Sequence, residues 1–380
     1  MLWVVAFFFF SYGMLHAYLF LKMQLAFRLP RPVLVATAIF LMLMVFAIIL
    51  IRLLERHDHV LGARWLGMVA YPWIAVVFWF CVLGLALDTW NLLIRILGRL
   101  VPRARGCVLA ARPAFYVVAA GVAIAVAAGV AEANRISVRE ISIQTPRLPA
   151  HTPPIRLAQI SDLHLSIHRG PRLLDRVIGM LNEIRPDVIV STGDLVDSEF
   201  RHIAPLADIL AEVRAPLGKY AVLGNHEHYW GEPGALAFHQ RAGFRLLREQ
   251  TVHIAPTVVL AGVDDRAGRY THQNCFDDES KPLDAAPRDA FLILLKHQPL
   301  VREASIDRFD LQLSGHVHDG QLFPFQLVIR VLYPYLCGTY CFSPRSILNV
   351  SRGIGTWGPP MRLGARPEIC VITLSPTAGR

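Results

Sequence analysis

The chain has 380 residues, of which 54% are hydrophobic and only 18% are charged, whereas an ordinary soluble domain carries about 25% charged residues. This composition excludes a disordered chain, a collagen-like chain and a small disulfide scaffold, and the length is typical of two or three structural units. The net charge of +9 comes almost entirely from residues 1–135, where 12 Lys and Arg accompany only 4 Asp and Glu, a pattern typical of basic loops between membrane helices rather than of nucleic-acid binding.

Four stretches in the first third lack Asp, Glu, Lys and Arg over about the 20 residues that a bilayer requires. They predict an all-α transmembrane region of about four helices in residues 1–134, with spans at residues 1–21, 33–51, 65–87 and 114–131. Buried helices of a soluble core are the alternative, but such cores rarely contain uncharged runs of this length. After the third span, Arg95 and Arg99 share one face of residues 91–101, which predicts an interfacial helix.

Loop charge predicts the orientation of these spans. The loops after the first and third spans carry 8 basic residues, and the loop after the second span carries 3. Because basic loops tend to stay in the cytoplasm, we expect the domain that follows to lie on the extracytoplasmic side of an inner or plasma membrane. Losing the fourth and least hydrophobic span would reverse this orientation.

Residues 135–154 form a proline-rich connector with a first strand near residues 136–143, and residues 155–380 have the pattern of one α/β domain. Helices are predicted at residues 173–184 and 203–213. Apolar runs predict strands at residues 155–160, 188–190, 220–223, 258–263, 291–295, 311–313 and 369–374. Strands that alternate with helices predict a layered architecture.

Polar side chains that are able to bind metals follow five of these strands. The motifs are D-x-H at residues 162–164, G-D-x-x-D at 193–197, G-N-H-E at 224–227, a histidine at 297 and G-H-x-H at 315–318. Ligands gather outside the carboxyl ends of strands in open α/β sheets, so we expect these side chains to converge. Each motif alone is common, whereas the ordered set of five is specific.

This ordered set resembles that of the calcineurin-like metallophosphoesterase superfamily over residues 136–375, and the closing stretch at residues 349–363 resembles its membrane-anchored bacterial branch. The resemblance implies a four-layer α/β/β/α sandwich around two divalent metal ions, for which carboxylate and imidazole ligands favour Mn, Fe, Zn or Co. It implies seven ligands: Asp162, His164 and His318 on the first metal, Asn225, His297 and His316 on the second, and Asp194 as a bridge.

The resemblance also implies a metal-dependent phosphoric ester hydrolase. A hydroxide that bridges the metals would attack phosphorus, with Asp194 holding both ions and His226 helping the leaving oxygen to depart. Asp197 and Glu227 would orient ligands from behind, although a solvated loop carboxylate is the alternative for Asp197. Arg345, Arg352 and Arg362 are candidates for a second phosphate clamp, with a solvated surface role equally open.

The membrane anchor favours a lipid or lipid-linked phosphomonoester, phosphodiester or pyrophosphate as substrate. Related membrane-associated enzymes suggest an alternative, hydrolysis of UDP-2,3-diacylglucosamine in lipid A synthesis, but that substrate is made in the cytoplasm. A non-catalytic sensor or scaffold is disfavoured because all seven ligand positions are filled, and a transporter is disfavoured because the spans lack charged residues. Cys337 and Cys341 fit either a disulfide or buried thiols.

Overall fold

The computed structural model describes residues 2–271 and 275–377. These residues form two compact units, one made of residues 2–131 with 358–361 and the other of residues 132–271, 275–357 and 362–377. We describe the first as the helical unit and the second as the α/β unit. The division of the chain into a transmembrane region, a connector and a catalytic domain stays a prediction.

The helical unit contains four helices that are long and apolar enough to cross a membrane. Their bounds are α1 Leu2–Phe27, α2 Arg31–Arg56, α3 Val60–Leu100 and α4 Ala111–Ala133, and a 3₁₀ helix, Pro102–Cys107, follows α3. Residues 91–100 of the segment expected to form an interfacial helix are continuous with α3, since no proline separates the third span from Pro102. Asn91 Nδ2 donates to the Leu109 carbonyl, and the Leu109 backbone N–H donates to Asn91 Oδ1.

The α/β unit is built on two mixed sheets of six strands each. The strands are β1 Ser137–Thr145, β2 Ile155–Ile160, β3 Val188–Ser191, β4 Lys219–Ala221, β5 Arg245–Leu246, β6 Gln250–Ala255, β7 Val258–Gly262, β8 Phe291–Leu295, β9 Leu311–Ser314, β10 Gly338–Ser343, β11 Ser346–Val350 and β12 Glu368–Pro376. The first sheet has the order β1-β12-β2-β3-β4-β5 and the second has the order β10-β11-β9-β8-β7-β6. The strands that lead to the predicted motifs occupy the middle of each sheet.

The two sheets pack face to face, and helices cover their outer faces. The helices are α5 Pro171–Ile184, α6 Phe200–Ala211, α7 Asn225–Trp230, α8 Glu232–Arg241, α9 Ser280–Ala285 and α10 Gln326–Leu332. Leu157 and Val190 of the first sheet share a buried core with Leu260 and Ile293 of the second. The opposite face of the first sheet packs against α5, α6 and α8, and that of the second packs against α9 and α10. This four-layer α/β/β/α arrangement confirms the predicted fold class.

Every strand and helix predicted for this unit is present, with each end within three residues of the expected position. Strands β5, β6, β10 and β11 and helices α7 to α10 were not predicted. These elements are two to ten residues long, so their sequences contain too few periods to distinguish a helix from a strand.

Candidate metal centre

Each predicted motif lies in the loop that follows a buried strand. Asp162 follows β2, Asp194 follows β3, and Asn225 follows β4 at the start of α7. In the second sheet, His297 follows β8 and residues 316–318 follow β9. Neighbouring strands β2, β3 and β4 are parallel, as are β8 and β9, so their carboxyl ends bring these loops together.

The backbone of these loops is unusual. Asp162, His164, Asp194, His316 and His318 have positive φ angles between 48° and 75°. This left-handed conformation is uncommon for residues other than glycine and costs about 1 kcal/mol or more each. Strained backbone of this kind is concentrated at functional sites, and here it occurs at five of the seven predicted ligands.

The first predicted ligand group is assembled from two loops, the one after β2 and the one after β9. His164 Nε2 lies 3.0 Å from His318 Nε2, and His318 Nε2 lies 3.4 Å from Asp162 Oδ1. Each of the three side chains is nearly or fully buried, and their ligand atoms all lie within 4.8 Å of one another. The three side chains thus point at one small volume.

The second predicted ligand group lies next to the first. His297 Nε2 is 3.1 Å from Asn225 Oδ1 and 3.1 Å from His316 Nδ1. Asp194 Oδ2 is 3.2 Å from His297 Nε2 and 3.8 Å from His164 Nε2. The Asp194 carboxylate therefore reaches both groups, which is the position expected of a bridging ligand.

The donor chemistry of the cluster fits divalent cations. Imidazole nitrogens face each other at 3.0 and 3.1 Å, and two buried carboxylates and an amide oxygen point at the same place. A neutral imidazole carries only one N–H, so the cluster has fewer protons than closely spaced nitrogen and oxygen lone pairs. Nitrogen and oxygen ligands together suit Mn, Fe, Co or Zn. The seven side chains therefore fit a pair of such ions.

The two carboxylates have different electrostatic surroundings. Burial raises the pKa of Asp162 above its ordinary value. Burial also acts on Asp194, but the His297 and His226 imidazoles more than offset it, and they hold the pKa of Asp194 well below its usual range. Asp194 is thus an anion in the middle of the imidazole cluster.

Glu227 ties two of the loops together. Its fully buried carboxylate accepts four backbone N–H groups: those of Gly224 at 2.8 Å, Asp194 at 2.9 Å, Leu195 at 2.7 Å and Val196 at 3.2 Å. The loop after β3 is thereby fixed to the start of α7. This placement accords with the predicted role of Glu227 behind the ligands.

His226 is buried beside the cluster, with a ring nitrogen within 4.8 Å of ligand atoms of His164 and Asp194, and it is held by a carboxylate. Its Nδ1 is 2.7 Å from Asp197 Oδ1, which also accepts the indole N–H of Trp230 at 2.7 Å. The His226 and His164 rings meet edge to face, with centroids 4.6 Å apart. Burial disfavours the charged imidazole, but Asp197 and Asp194 outweigh it and raise the pKa of His226 to about 9. Asp197 is therefore an orienting partner and not a solvated loop carboxylate.

Two contacts of the cluster were not predicted from the sequence. Arg362 is fully buried, and its Nη2 lies 2.9 Å from His318 Nδ1 while the guanidinium donates to the backbone carbonyls of Gly355 and Ala365. The Tyr333 hydroxyl lies 3.0 Å from His316 Nε2. No local motif signals either contact, since both depend on how distant segments fold back.

The suggested arginine clamp is not formed. Arg362 is engaged inside the unit, and Arg352 is paired with Asp319 at 3.1 Å and with Glu368 at 2.8 Å. Arg345 is exposed at the surface. All six cysteines of the chain are free thiols in this structure, and the thiol at position 341 is exposed.

The comparisons with known proteins agree on one family. The profile of the calcineurin-like phosphoesterase family matches residues 155–320. An uncharacterized metallophosphoesterase of Aquifex aeolicus is 38% identical over 244 residues, which cover 63% of this chain and 92% of that protein. A transmembrane protein with metallophosphoesterase domain from Bos taurus is 32% identical over 327 residues, covering 81% of this chain and 73% of that protein.

Among solved structures, one match is a dimetal phosphatase from Danio rerio, at 13% identity and a TM-score of 0.39, which covers 58% of this chain and 98% of that one. The sequence relatives include transmembrane proteins, which agrees with the four apolar helices and indicates membrane association. On the strength of the sequence matches and the His/Asp cluster, the chain belongs to the calcineurin-like metallophosphoesterase family and is a metal-dependent phosphoesterase.

Proposed function

We propose that this protein is a membrane-anchored phosphoesterase with a dinuclear metal centre, and that it hydrolyses a phosphate ester or pyrophosphate bond of a lipid or lipid-linked substrate. The observation that carries the proposal is the convergence of two ligand groups on Asp194, whose carboxylate lies within 3.8 Å of an imidazole from each. A bridging carboxylate between two nitrogen-rich sites is what a pair of divalent cations requires.

Two bound divalent cations would supply Lewis acidity toward the phosphoryl oxygens and make water a competent nucleophile near neutral pH. The protein holds the ligands in place through strained loops and through Glu227, so the site needs little rearrangement on binding. These side chains are buried, which limits access of bulk water to them.

His226 is placed to act on the leaving group. Asp197 engages its Nδ1 at 2.7 Å, which leaves Nε2 as the ring atom available to a substrate. A proton held at that nitrogen would be donated to the departing oxygen as the bond to phosphorus breaks. Asp197 acts through His226 by fixing the ring orientation and the proton position.

The lipid character of the substrate is supported by the anchor. Four apolar helices would hold the α/β unit at a bilayer, where phospholipids and lipid-linked pyrophosphates are the abundant phosphate esters. We also propose that the α/β unit lies outside the cytoplasm, on the basis of the loop charges. Reporter fusions at Arg380 that are active only on one side of the membrane test this, and a signal from the cytoplasm would refute the orientation.

The test of the reaction uses the purified full chain with Mn²⁺, assayed on bis-p-nitrophenyl phosphate, p-nitrophenyl phosphate and a panel of phospholipids. Asp194→Ala is expected to lower turnover by roughly 10³-fold or more, because the two metal ions would lose the carboxylate that they share. His226→Ala is expected to lower turnover by roughly 10²-fold to 10⁴-fold on alkyl esters.

The His226→Ala loss should be smaller on p-nitrophenyl esters, whose leaving group departs readily without a proton. Matched controls are Asp175→Ala and His151→Ala, which remove the same residue types from exposed positions of the same unit. The controls should retain wild-type turnover. Equal turnover by the wild type and both site variants would reject the mechanism.

A further inference from the structure

The α/β unit has one stretch whose surface is apolar. Residues 321–336 contain no Asp or Glu and a single basic residue, Arg330. Five large apolar side chains in this stretch are more than half exposed, up to 84% at one position, and we call them the apolar surface: Phe323, Leu327, Val328, Val331 and Leu332. Contiguous apolar side chains on a folded unit mark a site of contact with a partner or a membrane.

The exposure is a property of the fold, because the other side of α10 is fixed. Ile329 and Tyr333 pack against a buried cluster that includes Val317 and Leu336. At the start of the helix, the Gln326 side chain donates to the Gly364 carbonyl at 2.7 Å. The helix therefore holds one face inward and presents Val331 and its neighbours outward.

The apolar surface lies beside the point where the chain enters the α/β unit. The carboxylate of Glu132, in the last turn of α4, accepts the backbone N–H groups of Gly364 at 3.0 Å and Ala365 at 2.9 Å. The preceding residue, Leu363, accepts the backbone N–H of Phe323 at 2.9 Å. Residues 363–365 thus join the end of α4 to the apolar surface.

This position indicates what covers the surface. The residues of α4 before Glu132 form a helix that is long and apolar enough to cross a bilayer, so the edge of the bilayer falls close to Glu132 along the chain. Two exposed arginines lie beside the same loop, Arg135 and Arg366. Arg366 Nε donates a hydrogen bond to the backbone carbonyl of Arg135 at 2.9 Å. Basic side chains next to an apolar helix face are typical of segments that lie in a lipid interface.

We propose that the apolar surface docks into the lipid interface of the membrane in which the chain is anchored. Phospholipid is the occupant, with the five apolar side chains below the headgroups and Arg135 and Arg366 among the phosphates. Tyr333 directly follows α10 and its hydroxyl lies 3.0 Å from His316 Nε2, so this surface adjoins the candidate metal centre. The docking therefore indicates a bilayer phospholipid headgroup as the substrate class, and this assignment of the substrate rests on the proposed function.

The experiment places the photoreactive residue p-benzoylphenylalanine at Val331 of the full chain, reconstituted in liposomes of phosphatidylcholine and phosphatidylglycerol with radiolabelled phospholipid. The matched control carries the same residue at Asp284 on α9, whose side chain is 75% exposed. After irradiation, we expect about tenfold more lipid label on the Val331 protein than on the Asp284 protein, since only Val331 would reach the acyl region.

Equal labelling at the two positions, or a cross-link from Val331 to a second protein chain in place of lipid, would overturn the proposal. The cross-link needs no turnover, so lipid labelling at Val331 in a chain that hydrolyses none of the phosphate esters would refute the proposed function and leave the docking supported. In an active chain, the triple variant Leu327→Ser, Val331→Ser, Leu332→Ser should keep wild-type turnover of bis-p-nitrophenyl phosphate. It should lose about tenfold in turnover of bilayer phospholipid, and an undiminished rate on both would contradict access through this surface.

Discussion

The two units differ in where they expose large apolar side chains. In the helical unit such side chains point outward along all four helices, as at Phe7 and Ile124, which are 71% and 70% exposed. In the described part of the α/β unit, half of the exposed large apolar side chains belong to the apolar surface. Contact with lipid would account for the first pattern, and in the α/β unit a similar pattern is concentrated in one short stretch, residues 323–332.

The α/β unit also buries what the helical unit largely avoids, namely charge. Asp162, Asp194, Glu227 and Arg362 are at most 2% exposed. Burying a charge is unfavourable unless partners compensate for it. This unit therefore places side chains against their solvent preference in two places. Backbone N–H groups compensate the buried charge of Glu227, and under the proposals above divalent cations would compensate the buried ligands and lipid would cover the apolar surface.

The largest loss of stability is expected when the buried Glu227 carboxylate is changed, because backbone N–H groups compensate its charge. Glu227→Gln replaces the carboxylate that accepts four backbone N–H groups, and an amide has only one oxygen to accept them. Because hydrogen bonds to a buried charged group are the strong ones, we expect the free energy of unfolding of the α/β unit to fall by about 3 kcal/mol. Urea titration of the full chain in nanodiscs measures this change.

The control for that measurement is Glu212→Gln, which makes the same chemical change at an exposed position. It should leave the free energy of unfolding within about 0.5 kcal/mol of the wild type. If both variants lost the same free energy of unfolding, the hydrogen bonds to Glu227 would contribute nothing specific to stability. The backbone N–H groups would then not compensate a buried charge in the way described above.

A slightly smaller effect is expected from removing metal. Ions that bind only the folded state stabilise it by mass action, by about 2.7 kcal/mol when free Mn²⁺ is roughly 100-fold above its dissociation constant. Chelation should therefore lower the urea midpoint of the wild type. In Asp194→Asn, where the carboxylate common to both ligand groups is lost, the difference between chelated and Mn²⁺-loaded protein should shrink. An undiminished difference in this variant would place the stabilising ions somewhere other than this cluster.

Much of this architecture could be predicted because its signals are local. Uncharged runs gave the four apolar helices, and apolar strands followed at once by Asp, Asn or His gave both the fold class and the residues that converge. The strands could be recognised where they are fully buried and contain a short continuous apolar run, as at residues 188–190 of β3 and 291–295 of β8.

The remaining features depend on contacts between distant segments. The last strand, β12, inserts between β1 and β2, pairing parallel with one and antiparallel with the other, and nothing local in its sequence specifies that position. Arginine is a residue type that often binds phosphate, but the guanidinium of Arg362 is surrounded in the folded unit by the backbone carbonyls of residues 352, 355 and 365. Tyr333 reaches His316 only because α10 packs back over the second sheet. Apolar residues in a short helix could not be assigned to core or surface by periodicity alone.

The smallest change in stability is expected for Val331→Ala, which tests whether protein or lipid covers the apolar surface; Leu336→Ala is its buried counterpart. Val331 and Leu336 are five positions apart in one apolar stretch, yet Val331 is 84% exposed and Leu336 is 2% exposed. Leu336→Ala should lower the free energy of unfolding in detergent by about 3 kcal/mol, since it opens a cavity in the core. Val331→Ala should change it by less than about 0.5 kcal/mol, because most of that side chain is exposed. If Val331→Ala destabilised as strongly as Leu336→Ala, Val331 would be packed against protein in solution, and the apolar surface would need no lipid to cover it.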